Sequence, residues 1–196
     1  MSELSAYEQN PLLSWEWVYL VRALELLLGV ARDHRSVCLQ THTHKHGLRP
    51  STSPYVQFRH NGTGGWVVEV SGNLVVRPEL DALEVAQMEY FGWTRPEVNA
   101  GDFEAGAGGN PNFSRDIDDA TPKEVAWWIV TTLYMVYGVE KRDFFAVEIP
   151  FVVTMLAEAN FLARLTPTKN NPFGYIFCLP GQHIDMTDPA TEIKWL

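Results

Sequence analysis

The sequence predicts an α+β fold in which an antiparallel β-sheet packs against helices. Three features predict it. A long amphipathic helical stretch comes first, one clear β-hairpin follows, and mostly helical patterning comes after, so helices and strands are grouped rather than alternated. The length of 196 residues and the 46% hydrophobic content suit one globular unit with a sizeable core. The expected organisation is a tail over 1–13 and a single α+β domain over 14–196.

Ser14 is placed to cap a helix reaching about Asp33, because Trp17, Leu20, Val21, Leu24, Leu27, Leu28 and Ala31 recur at three and four residues. From Arg35 to Pro54 the composition turns polar and loses periodicity, which reads as a long linker. YVQFRH and WVVEVSG then flank Asn61-Gly62-Thr63-Gly64-Gly65, a turn rich in residues that tolerate positive φ. Val56 and Phe58 alternate with Gln57 and Arg59, as do Val68 and Val70 with Glu69, giving the sheet one wetter face. A short third strand is expected over Asn73 to Arg77. Pro78 then starts a helix with Leu80, Leu83, Ala86, Gln87 and Tyr90 on one side; Gly92 ends it and Pro96 bars its continuation.

Thr121-Pro122-Lys123-Glu124 carries a cap, a proline in the first turn and a glutamate three residues on, a capping box for a helix running to Gly138. Val125, Ile129, Leu133 and Val136 form its core stripe. Trp127 and Tyr134 lie on one flank, Trp128 and Met135 on the other. Either the helix is enclosed on several sides, or a flank forms a groove or self-association surface, for which Trp, Tyr and Met are favoured residues. Pro150 opens a last helix, with Val152, Met155, Leu156, Ala159 and Ala163 aligned, and YIFCL at 175–179 reads as a strand.

Charge and motifs exclude several functions. A net charge of −9 without a Lys/Arg cluster argues against nucleic acid. No signal peptide and no run long enough to span a membrane are visible, so a cytoplasmic protein with no membrane partner is expected, its Cys38 and Cys178 as thiols rather than a disulfide. Gly101 to Gly109 lacks the Gly-Lys-Ser/Thr ending of a phosphate loop, and Asp102 and Glu104 would repel phosphate; it reads as a connection. Asp116-Ile117-Asp118-Asp119 precedes a helix start, where the dipole favours acids. His42, His44 and His46 alternate and could face one metal on an extended segment, yet no Cys or carboxylate close by in sequence completes a site, and solvated linker histidines are the plainer reading. No metal, cofactor or catalytic residue is assigned.

Five stretches in order carry a resemblance: YVQF (55–58), GWVVEVSGN (65–73), YFGWTRP (90–96), NFSRDID (112–118) and EVAWWIVTTLYMVYGV (124–139). Together they resemble the actinobacterial relatives of YbjN and of type III secretion chaperones, the TY-Chap domains, over a family-like core of about 54–140, leaving 141–196 as a C-terminal helical extension. The resemblance implies an antiparallel sheet backed by helices, and a non-enzymatic role in which a sheet or helix surface holds a segment of a client protein. It also implies an acidic, often dimeric protein, and no catalytic residues. The leading reading is a peptide- or protein-binding chaperone-like adaptor, with Trp128 and Met135 as the preferred partner-binding pair and Trp127 and Tyr134 as the second. A homodimeric regulator acting by protein contact is the alternative, and a metal-dependent enzyme using His42, His44 and His46 the remote one.

Overall fold

The computed structural model describes residues 14–33, 36–42, 53–74, 76, 78–98, 109–140, 143–148, 166–167 and 174–178. The expected tail at 1–13, the helix from Pro150 and most of the glycine-rich loop lie outside these residues. Within them run three helices, α1 (Trp15–Asp33), α2 (Ala82–Tyr90) and α3 (Pro122–Met135). Seven strands accompany them: β1 (Val37–His42), β2 (Tyr55–His60), β3 (Trp66–Val70), β4 (Phe113–Ile117), β5 (Phe144–Glu148), β6 (Thr166–Pro167) and β7 (Gly174–Cys178). They form one sheet in the order β4-β3-β2-β1-β5-β7-β6, every pair antiparallel. The fold class is α+β.

One face of the sheet packs against helices. The registers set Leu39 opposite Val56, Val56 opposite Val70, and Phe58 opposite Val68. All five side chains are buried in one cluster with the α1 stripe from Trp17 to Ala31 and the α3 stripe Val125, Ile129, Leu133 and Val136. Both stripes therefore lie where the helical period places them. Helix α1 packs on α3 and on β1 and β2. On the other face Gln57 and Glu69 pair in register and are half exposed.

The hairpin forms between the expected residues. The Asn61 side-chain oxygen accepts bonds from the Thr63 N–H (2.9 Å), the Thr63 hydroxyl (3.0 Å) and the Gly65 N–H (2.9 Å), while Gly62 and Gly64 take φ of 83° and 106°. Thr121 caps α3 through the predicted box, accepting from the Glu124 N–H at 3.3 Å while Glu124 accepts from the Thr121 N–H at 2.8 Å. Helix α3 ends at Met135, three residues before the expected Gly138, which takes φ of 64°.

Three expectations are corrected. The stretch 35–54 is not all linker, since β1 lies in it and is an inner strand, paired with β2 on one side and β5 on the other. Asn73 to Arg77 supplies no strand among the described residues; the Val76 N–H returns to the Gly72 carbonyl at 3.2 Å in a turn. Helix α2 begins at Ala82 rather than Pro78, because Asp81 caps it and Glu84 completes a second capping box. Of the residues aligned on one side, Leu80 is buried whereas Leu83 and Tyr90 are 76% and 85% exposed, and α2 meets the core through Met88 and Val85. Where the segment 141–196 is described it supplies strands β5, β6 and β7, the last matching the expected YIFCL strand.

Polar side chains lock the end of the hairpin to its neighbours. The Tyr137 hydroxyl donates to the Ser71 carbonyl, and the Ser71 hydroxyl accepts from the Tyr55 N–H at 2.7 Å. The Tyr55 hydroxyl in turn donates to the Asn112 side-chain oxygen at 3.0 Å, at the entrance to β4. Replacing Leu39 by Ala tests whether β1 is structural: a loss of about 2–5 kcal/mol in urea unfolding is expected, where a linker residue would cost almost nothing.

Candidate functional site

The sequence makes a cleft where α2 ends. Gly92, with φ of 81°, reverses the chain there: its N–H bonds to the Glu89 carbonyl (2.9 Å), and the next N–H, of Trp93, bonds to that of Met88 (3.0 Å). This turn directs Trp93 inward, where its indole N–H donates to the buried Thr132 hydroxyl of α3 at 3.0 Å. The chain then runs alongside the edge strand, Thr94 and Ser114 exchanging backbone bonds of 2.8 and 3.1 Å. The Glu97 N–H bonds to the Asn110 carbonyl at 2.9 Å, and the Asn110 N–H to the Glu97 carboxylate at 3.2 Å, so the two ends of the glycine-rich loop are clasped together.

Tyr90, Phe91, Trp93, Arg115, Trp128, Thr131 and Thr132 line a cleft of about 280 Å³ between the end of α2, strand β4 and helix α3. Arg115 stands in its wall. It lies opposite Val68 in register, on the helix-facing side of β4, between the buried Phe113 and Ile117. Its guanidinium donates to the Phe91 carbonyl, one of the carbonyls α2 leaves unpaired at its C-terminus, where a cation is also favoured by the helix dipole. Its central carbon lies 3.5 Å from the centre of the Trp128 ring, a cation–π contact. Partial burial draws the Arg115 pKa below the usual arginine value, which still leaves the group charged. A side chain on Gly92 would meet the same group, its Cβ only 2.9 Å from Arg115 Nη1.

The two flanks of α3 differ. Trp128 is 37% exposed and Met135 46%, so this pair faces outward, with Trp128 bordering the cleft. Trp127 and Tyr134 are partly buried against the core, and the Tyr134 ring meets that of Trp17 edge to face at 5.4 Å. Through Tyr134 this flank braces α3 on α1, and neither residue is fully open to solvent. Sequence reasoning did not assign Arg115 to the site. The available signal was a lone cation at an inward position of an alternating strand, Phe113-x-Arg115-x-Ile117.

The candidate histidines do not form a site among the described residues. His42 is 1% exposed at the end of an inner strand, not solvated in a linker, and His44 and His46 lie outside those residues. No group of three His, Cys, Asp or Glu among the described residues could hold a metal. Cys38 lies level with Glu148 on β5, while Cys178, one strand further, lies level with Phe144 at the opposite end of β5. Two strand spacings of about 4.8 Å already exceed the reach of a disulfide. No described helix is long and apolar enough to cross a membrane.

A sheet backed by helices on one face, with an open aromatic cleft at the end of a helix, defines a small α+β module. Residues 12–150 match the family model of the T3SS (YopN, CesT) and YbjN peptide-binding chaperone 3, TY-Chap3, and the chain belongs to that family. No curated protein and no solved structure matches the chain.

Burial lowers the His42 pKa to about 4. The unfolded chain, with an ordinary histidine near 6.5, binds the proton more readily, so the contribution of His42 to stability is complete above about pH 6.5 and is lost as pH falls towards 4. Stability should drop by about 2 kcal/mol more between pH 7.5 and 5 in the native chain than in His42→Leu, as read by urea unfolding at the two pH values.

Proposed function

We propose that the protein is a non-enzymatic chaperone-like adaptor, acting in the cytoplasm, that holds a segment of a client protein at the cleft beside Trp128. The observation that carries this is the exposure of Trp128 and Met135 on one flank of α3, next to an aromatic cleft, in a chain of a peptide-binding chaperone family. A client side chain entering the cleft meets Tyr90, Phe91 and Trp93 on one side and Trp128 on the other. Met135, unbranched and polarizable, adapts to what lies alongside. The exposed stripe of Leu83 and Tyr90 on α2 extends this apolar surface away from the cleft.

The alternative reading, a homodimeric regulator, is favoured by a different pair: Trp15 and Val18, three residues apart at the start of α1, are 60% and 43% exposed. Neither residue lines the cleft, so substitutions separate the two readings.

Affinity capture from native lysate should recover a reproducible client that is lost with the double substitution Trp128→Ser and Met135→Ser. The melting temperature should fall by roughly 4 °C or less, since the cation–π contact is worth about 1 kcal/mol. Tyr134→Ala should instead lower the melting temperature further while sparing capture. Retention of the client by the double variant would sink the assignment of the cleft. Sedimentation of the native chain as a dimer, abolished by Trp15→Ser and with no client recovered, would favour the regulator.

A further inference from the structure

We propose that the cleft takes a carboxylate carried on an apolar peptide segment, with Arg115 as the group that selects it. This rests on the peptide-holding reading and adds the chemistry of what is held. Arg115 occupies a strand position whose neighbours on the same face, Phe113 and Ile117, are buried apolar residues. Placing a guanidinium there costs solvation, and no carboxylate among the described residues offsets it. Glu89, on the nearby helix, is engaged by Arg95, and Asp116 projects from the opposite face of the sheet.

The two contacts Arg115 makes leave most of its recognition capacity unused. One N–H is spent on the Phe91 carbonyl, and one face of the plane lies on Trp128. Stacking consumes no donor. A guanidinium carries five N–H groups in a rigid fork whose natural partner is a carboxylate. Apolar and aromatic walls strengthen such a pair relative to the same pair in water. The net charge of −9 limits the ligand further. A strongly acidic segment is repelled by the molecule as a whole, so the favoured one carries a single carboxylate flanked by apolar side chains. That carboxylate comes from an Asp or Glu side chain or from a chain end.

Three peptides test this: Ac-Leu-Phe-Glu-Leu-NH2, its Gln counterpart, and Ac-Leu-Phe-Leu with a free C-terminal carboxylate. Binding is followed by the indole N–H resonance of Trp128, assigned with Trp128→Phe. The Glu peptide or the free-carboxylate peptide should bind about tenfold tighter than the Gln peptide, and the tighter of the two identifies the source of the carboxylate. Arg115→Gln, which keeps a donor for the Phe91 carbonyl, should erase that preference, so that the variant binds the Glu and Gln peptides equally. Arg115→Lys, retaining charge without the fork, should keep only part of it. If neither the Glu peptide nor the free-carboxylate peptide binds the native chain more tightly than the Gln peptide, the carboxylate assignment is overturned and the peptide-holding cleft is left standing. Failure of every peptide to bind also overturns it, whereas client capture through Trp128 and Met135 is measured independently.

Discussion

Everything in the described structure depends on β1 lying in the middle of the sheet. Its pairing with β2 joins the hairpin and β4 to the rest, and its pairing with β5 brings in β7 and β6. Remove it and the sheet falls into two parts, each with a raw edge of unpaired backbone groups. The strand is held from both ends. Helix α1 precedes it almost directly and lies across it, and Thr41 fastens its far end by donating both its N–H and its hydroxyl to the Pro54 carbonyl at 2.8 Å.

From that strand outward the molecule becomes less enclosed. Val37 and Leu39 are wholly buried, Val68 and Val70 likewise two strands away, but at the β4 edge an inward position is given to Arg115. The core therefore ends at β4 in a charged and aromatic wall, and the cleft lies there. Trp128 sits at this boundary, with one ring face against the guanidinium and part of its surface in water.

Where local signals were unambiguous, the sequence was sufficient to place the element. The Asn-Gly turn of the hairpin, the Thr121 capping box and the heptad-like spacing of α1 each act within a few residues, so no tertiary knowledge is needed to read them. Strand β1 was illegible because Gln40, Thr41 and His42 are polar yet buried, a pattern that local alternation cannot distinguish from a loop. The core-facing side of α2 was not legible, because Leu83 and Tyr90 outweigh Met88 in any count of apolar residues although the burial runs the other way. In the site, the outward flank of α3 could be seen as a possibility on a helical wheel. The pairing of Arg115 with Trp128 joins two elements that only the fold brings together.

The clasp between Glu97 and Asn110 has a consequence for how this chain tolerates change. The extended chain before the loop and strand β4 after it are fastened to each other, by this clasp and by the Thr94–Ser114 bridge. The entropic cost of closing a loop rises only with the logarithm of its length. The spacing of Glu97 and Asn110, and with it the approach of the chain to the cleft on either side, is thus set by bonds these two residues make to each other.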